Sequence, residues 1–523
     1  MIWLSLFLSL TTLLSCNDSG TLSDNGKQQS QKSVTFTINT ARQQQTITGF
    51  GASDAWSIQF VGKNWPLEKR NSIADLLFSK DLRSDGSPKG IGLSIWRFNI
   101  GAGSARQGKD SGISDPWRRA ESFLTADGTY DWSKQSGQQW FLRAAQQRDV
   151  DQFIGFANSP PVLLTKNGKA YGSVGTHANL PEDHYDDFAD YLAHILAHFK
   201  QEGIPFDYIS PVNEPQWDWA KSNNQEGSPY HNDEIKKVIK ALDSSLQANH
   251  LETKIEIPEA AQINFLYGGN RDGRDHQIQS FFGPNSGLKN VKSLAHKVAA
   301  HSYFTTWPTD KMIQQRQQLW QNIQQVDPSL QYWMSEYCIL ANNDEMKGGG
   351  RDLGIDPALY VARLIHYDLT VAHASSWQWW LAVSPYDFKD GLVYIDRNQQ
   401  NGQVYDSKML WALGNYSRFI RPGTVRVSVS RSDGKSPGQN ANGLMTSAYL
   451  DQQKNRVIII VVNYSVNDEK VSFHLKGLDN DQTVTKLTSY VTSSGKNLEA
   501  ESPIGISDIT ITGRSITTFV ANL

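Results

Sequence analysis

The chain has 523 residues, 39% of them hydrophobic, and a formal net charge of −3 from 50 basic and 53 acidic side chains. That length suits one large catalytic domain with a smaller companion, and the near-neutral balance excludes the electrostatic footprint of a nucleic-acid or acidic-polymer binder. The outlying numbers are 16 Trp, 19 Tyr and 21 Phe: most such rings belong to a core, but flat rings also stack on the apolar faces of sugars.

The first element is an apolar run from Ile2 to Leu14, too short to span a bilayer and suited to the central region of a signal peptide. It ends Leu13-Leu14-Ser15-Cys16, which resembles a bacterial lipobox with Cys16 as the lipidated residue of a protein at the cell envelope. No Lys or Arg precedes the run, a departure from that pattern. If Cys16 is acylated, Cys338 has no partner for a disulfide, and the membrane is reached through the lipid alone. Residues 17–32 are polar and read as a flexible tether. Alternation at Val34-Thr35-Phe36-Thr37-Ile38 predicts a strand within 33–45.

Between residues 46 and 420, eight apolar runs alternate with helical patterns: Thr46–Ser53, Leu93–Gly101, Phe153–Pro160, Tyr208–Pro215, Lys254–Ala260, Lys297–Phe304, Gln331–Cys338 and Ser375–Val383. The clearest helices are predicted from Glu182 to Glu202, with Phe188, Leu192, Ile195 and Phe199 on one face, and from Pro357 to His373. Eight strands with helical crossovers predict an α/β fold, a (β/α)₈ TIM barrel. A doubly wound open sheet is the other architecture. It is disfavoured because polar residues end nearly every strand and no Gly-rich loop follows the first. Residues 421–523 carry seven β-type runs separated by Asn, Asp, Gly and Ser, which predicts an antiparallel β-sandwich that also takes the N-terminal strand. There is no metal-ligand spacing, so no metal and no cofactor is expected, and the protein is expected to be a monomer.

The chemistry is carried by two strand ends. Ser210-Pro211-Val212-Asn213-Glu214-Pro215 closes the fourth strand, where Pro215 stops the ladder as the carboxylate is presented. Trp333-Met334-Ser335-Glu336-Tyr337 closes the seventh. Barrel active sites form at the C-terminal strand ends. Two carboxyl groups flanking one bond there are what glycosidic cleavage needs. This predicts Glu214 as general acid/base and Glu336 as nucleophile.

The sequence resembles glycoside hydrolase family 30. The resemblance rests on Gly49-Phe50-Gly51-Ala52-Ser53, Arg97-Phe98-Asn99, Ala157-Asn158-Ser159-Pro160-Pro161, Asn213-Glu214-Pro215, His301-Ser302-Tyr303, Ser335-Glu336, and Trp377 with Trp380, in order at strand ends. It implies hydrolysis with net retention, a β-sandwich built from both chain ends, and a substrate site that includes Asn99 and Asn158. Asn213 is placed to bond the sugar 2-hydroxyl. Arg97 keeps Glu336 ionised or forms a structural ion pair. Tyr303 donates to the nucleophile, and His301 reads equally as a core histidine or a site residue. Asp54 binds a sugar hydroxyl or caps the next element, and Glu259 binds substrate or ties down an arginine. Trp377 and Trp380 are expected as the floor beneath the sugar. Trp217 and Trp219 line a further subsite or pack their loop, and Trp96 and Trp379 belong to the core. Where many relatives have an aromatic-Met pair, this chain has Val162-Leu163-Leu164. The pattern looks most like the branch acting on β-1,6-galactan, with β-1,6-glucan and β-xylan as alternatives. A reading of another class is a glycan-binding lipoprotein without catalysis, and transfer to a sugar acceptor is a third.

Overall fold

Short runs rich in Val, Ile and Phe become strands, and each is covered by a helix whose apolar stripe faces it. The computed structural model describes residues 33–172, 175–478 and 483–523, so the expected signal peptide, Cys16 and the tether lie outside the described residues. The N-terminal strand is β1 (Val34–Thr46). The eight runs give β2 (Gly49–Ser53), β3 (Ile95–Asn99), β4 (Gln152–Phe156), β5 (Tyr208–Ser210), β6 (Lys254–Ile255), β7 (Pro258–Ala260), β8 (Lys297–His301), β9 (Gln331–Glu336) and β10 (Ala374–Ser384). The fifth run is split into two short strands.

These strands lie parallel in the order β6-β5-β4-β3-β2-β10-β9-β8-β7. The two ends of the sheet are halves of one stretch, separated by Glu256 and Ile257. Glu256 N–H donates to Ile209 O at 2.8 Å, and Ala299 N–H donates to Ile257 O at 2.9 Å. Two strands not expected from the sequence extend the sheet: β11 (Gly391–Ile395) pairs parallel with β10, and β12 (Val404–Asp406) antiparallel with β11. The helix predicted from Glu182 to Glu202 runs as Tyr185–Gln201 after a 3₁₀ turn, with Phe188, Leu192, Ile195 and Phe199 buried. Asp186 and Asp187 in its first turn, and His198 and Lys200 in its last, complement the helix dipole.

The C-terminal residues add β13 (Val425–Arg431), β14 (Leu444–Asp451), β15 (Arg456–Asn463), β16 (Glu469–Lys476), β17 (Thr488–Thr492), β18 (Glu499–Ala500), β19 (Ile509–Ile511) and β20 (Ser515–Asn522). With β1 they form a separate nine-stranded sheet in the order β18-β17-β20-β15-β14-β13-β1-β16-β19. This corrects the expectation of a purely antiparallel sandwich. The sheet is mixed, because β1 pairs antiparallel with β13 and parallel with β16. No hairpin turn joins β1 to either neighbour, so no turn chemistry fixes its direction.

The two sheets share one core. The helix Ile355–Thr370, predicted to run from Pro357 to His373, is buried at every position from Pro357 to Leu369. It packs on β10 with one side and on β14, β15 and β20 with another. A helix covered on every side belongs in such an interior, and its buried Arg363 and Asp368 are paired there with Glu345 and Arg316.

Candidate active site

Five strands bring the charged groups together, with Glu259 coming from β7. Arg97 sits on β3, His301 ends β8, Glu336 ends β9, and Glu214 follows β5 in the Pro-bounded turn. Arg97 Nη1 donates to Glu336 Oε2 at 2.5 Å, and its Nη2 reaches Asn213 Oδ1 at 3.2 Å. Tyr303 O–H donates to Glu336 Oε1 at 3.1 Å. His301 bridges two carboxylates, with Nδ1 2.9 Å from Glu214 Oε1 and Nε2 2.9 Å from Glu259 Oε2. Glu259 also accepts from Ser335 Oγ at 2.5 Å and lies 3.6 Å from Arg97 Nη2. A carboxylate oxygen of Glu214 and one of Glu336 lie within 4.8 Å of each other. Glu214, Glu259 and Phe304 all adopt positive φ, at 45°, 53° and 59°. Such backbone costs about 1–3 kcal/mol per residue and collects at ligand sites.

The electrostatics of the two glutamates differ. Burial raises the pKa of Glu214, and the negative charge of Glu336 raises it further, against the hydrogen bond and charge of His301. Burial alone would lower His301, but Glu336, Glu214 and Glu259 overcome it and hold the ring as an imidazolium, with a pKa of about 10. Glu259 goes the opposite way: burial opposes ionisation, and Arg97 and His301 hold it well below the usual carboxylate range. Arg97 and His301 thus set two cationic groups among the carboxyl groups of the cluster, and burial favours the protonated form of Glu214. His301 occupies Glu214 Oε1, which leaves Oε2 for a ligand. Glu214, His301 and Glu336 have the spacing of cation ligands, but the Arg97 guanidinium and the His301 proton already occupy that charge.

A cavity of about 370 Å³ opens over this cluster, lined by Asn213, Glu214, Trp217, Trp219, Tyr303, Phe304, Glu336, Leu340 and Trp380, among others. The sequence model of O-glycosyl hydrolase family 30 matches residues 33–394. The chain belongs to that family. A conserved exported protein from Bacteroides fragilis is 35% identical, with a TM-score of 0.88 over 93% of this chain and 100% of its own. An exo-β-1,6-galactobiohydrolase of Bifidobacterium longum is 26% identical over 246 residues, which are 37% of this chain and 16% of that protein. A glucuronoxylanase of Bacillus subtilis is 24% identical over 200 residues, 34% of this chain and 41% of the relative. The chain thus spans well under two thirds of both of these curated relatives.

In this family 30 chain the other expected residues divide into three groups. Asn213, Trp217 and Trp380 line the cavity, and Trp380 stands edge-on to Trp56 at 5.4 Å. Trp219 also lines it, and its indole N–H donates to Glu214 O at 3.0 Å, so it both packs the loop and borders the site. Asp54, Asn99 and Asn158 form a buried row beside the cluster rather than a lining of the cavity. Asn99 N–H donates to Asp54 Oδ1 at 2.7 Å, and Asn158 Nδ2 donates to Asn99 Oδ1 at 3.1 Å. Burial pushes Asp54 up to about 8, against bonds from Asn99 and Gln138.

Trp377 is a correction. It is fully buried, and its indole N–H donates to Asp368 Oδ2 at 2.9 Å, on the helix behind the sheet. The register of β10 against β2 shifts between Trp379 and Leu381. Trp377 and Trp379 share the outer face, and Trp380 alone of the three lines the cavity. Trp377→Phe is therefore expected to leave KM unchanged and to cost about 1–3 kcal/mol of stability, by leaving a buried carboxylate oxygen short of a donor. Thermal unfolding beside kinetics checks this, and a raised KM with unchanged stability would return Trp377 to the site.

Sequence reasoning missed three buried ionisable side chains, Glu226, Glu256 and Lys297. Glu226 accepts from Ala102 N, Ser104 N and Ser104 Oγ and so ties the loop after β5 to the loop after β3. Lys297 forms an ion pair with Glu256 inside the parallel sheet, its ammonium resting on the rings of Tyr208 and Trp333. Lys297 at the start of β8 and Glu256 between two isoleucines interrupt apolar runs, and that was the available signal for this pair. The departure at Val162-Leu163-Leu164 also has a place: Val162 and Leu163 line a neighbouring recess of about 610 Å³ that touches neither Glu214 nor Glu336.

Proposed function

We propose that this protein is a retaining glycoside hydrolase in which Glu336 is the nucleophile and Glu214 the acid/base. The observation that carries the reading is the approach of one oxygen of each carboxyl group to within 4.8 Å of the other. Retention calls for about 5–5.5 Å, whereas inversion needs about 6.5–9.5 Å to admit a water. The asymmetry assigns the roles. Glu336 is held by Arg97 and Tyr303 and is ready to attack the anomeric carbon. Glu214, raised by burial, keeps a proton and passes it from Oε2 to the departing glycosidic oxygen. In the second step Glu214 takes a proton from water, the water oxygen bonds to the anomeric carbon, and the ester to Glu336 breaks. Asn213 keeps its amide N–H groups for the sugar 2-hydroxyl, since its oxygen is taken by Arg97, and Trp380 supplies a stacking face. We read the parallel sheet as a closed (β/α)₈ barrel with the mixed sheet beside it.

The favoured substrate is β-1,6-galactan, supported by the sequence resemblance and by the activity named for the Bifidobacterium relative. β-1,6-Glucan and xylan are the alternatives within the family. The exported Bacteroides relative and the lipobox-like Cys16 support a place at a bacterial cell envelope. The test is a panel of β-1,6-galactan, β-1,6-glucan, glucuronoxylan and aryl β-glycosides, with the first-formed anomer read by NMR. β-Anomers support retention, and α-anomers would sink it. Cleavage of another panel member but not galactan discards the substrate alone.

The pH dependence follows with a definite sign. Turnover needs Glu214 protonated, so kcat/KM falls as pH rises through its raised pKa, above the ordinary carboxylate range. Glu214→Gln is expected to lose about 10²–10⁴-fold on substrates with poor leaving groups and to lose that alkaline limb. An unchanged limb in the variant would assign the titration elsewhere.

A further inference from the structure

Phe304 is an anomaly that the two-carboxylate mechanism does not use. It directly follows Tyr303, yet 62% of its surface is exposed, and its φ of 59° is one that a bulky side chain rarely adopts. A solvent-exposed ring held in strained backbone adds little to the stability of the folded chain. Its surroundings are organised. Phe304 lines the cavity with Glu214, Trp217 and Leu340, and Leu340 is also exposed, at 44%. The Trp217 and Phe304 rings stand 6.1 Å apart at 82°, making a corner. Trp217 is braced from behind by Phe265, at 6.2 Å, and by the Arg271 guanidinium, 5.2 Å from its ring centre.

We propose that Phe304 and Trp217 form a platform for the sugar on the leaving-group side of the cleaved bond. The proposal rests on the reading of Glu214 as acid. An acid must stand beside the departing oxygen, so the part of the cavity built from its own loop receives the departing sugar, while Trp380 and Glu336 face the sugar that is attacked. A pyranose has an apolar C–H face to lay on one ring of the corner and an edge to meet the other. The same platform serves a second reaction. Once the glycosyl ester on Glu336 has formed, a sugar docked there presents a hydroxyl in place of water. Its oxygen bonds to the anomeric carbon, the bond to Glu336 breaks, and its proton passes to Glu214. The platform thus favours transfer over hydrolysis at high oligosaccharide concentration.

The test compares wild type with Phe304→Gly, which removes the ring and accepts positive φ without a Cβ penalty, so it folds at least as well. The probes are the β-1,6-galacto-, β-1,6-gluco- and xylo-tetrasaccharides and the matching β-glycosyl fluorides, whose leaving group is a single atom. On the tetrasaccharide that wild type cleaves, kcat/KM is expected to fall about tenfold or more, chiefly through KM. On the fluoride the loss is expected to stay below about threefold. The ratio of transfer to hydrolysis drops as well, and Phe304→Tyr restores all three readouts. Equal losses on both substrates, or no loss on the tetrasaccharide, overturn the platform. Wild type that cleaves fluorides but no tetrasaccharide also overturns it. Wild type idle on both classes removes the hydrolase reading, and the platform with it.

Discussion

Glu336→Ala is expected to lower turnover by about 10⁴-fold or more while leaving the fold intact. The carboxylate ends a strand and is 3% exposed, and alanine in its place keeps the strand and opens a small space. With no group to form the ester, the reaction loses its covalent path, and effects of this size follow removal of a nucleophile. The variant also makes a sharper prediction. An added anion such as azide can enter the vacated position and attack an activated aryl glycoside from the same side as Glu336, giving the inverted α-glycosyl azide. Glu214→Ala treated alike keeps the nucleophile, so azide meets the covalent intermediate and gives the β-product. NMR of the two products checks both roles at once. The same anomer from both variants would remove the assignment, and unchanged turnover in Glu336→Ala would remove the mechanism.

The second large effect is expected at Arg97. Its side chain is buried, bonds Glu336 and Asn213, approaches Glu259, and lies 3.8 Å from the Phe156 ring centre. Arg97→Met keeps much of the volume but leaves two buried carboxylates without their cation. Breaking a buried pair on one side costs about 3–5 kcal/mol. The pH dependence should weaken as well. In the wild type Glu259 is depressed, so its contribution to stability is present above the ordinary glutamate pKa and is lost as pH falls through the lowered value. Without Arg97 the burial that opposes ionisation of Glu259 is countered by fewer groups, His301 among them, so less of that stability is present near neutrality and its loss as pH falls is smaller. Arg97→Lys is not expected to rescue, because one ammonium cannot match the forked contacts. Tm measured across pH checks this, and a variant as stable as wild type with the same pH slope would show that Arg97 carries no such charge.

The carboxylate pair was legible because strand ends are marked in sequence. Pro215 stops a ladder, and Ser335-Glu336 follows an apolar run. The helix Tyr185–Gln201 was legible for a similar reason, since its period is written in four apolar residues. What escaped depends on contacts between distant segments. Nothing near His301 announces that its ring spans Glu214 and Glu259. Trp377 was misplaced because it stands three residues from Trp380 on one strand, so alternation puts the two indoles on opposite faces, and which face meets the site is set by neighbouring elements. The direction of β1 against β16 was hidden for the same reason, because a strand inserted without a hairpin inherits its sense from the sheet that receives it.

The helix Ile355–Thr370 has a consequence for how this protein comes apart. It is the shared wall of two rooms, with β10 on one side and β14, β15 and β20 on the other. A fragment that keeps the parallel sheet but drops the mixed one would carry that helix with a bare apolar flank and would strand β1 without either neighbour. The site rests on β10 through Trp380, so loosening the mixed sheet reaches the cavity through a single wall. Residues 33–523 are therefore expected to melt as one body, and a fragment cut free of the mixed sheet is not expected to fold alone.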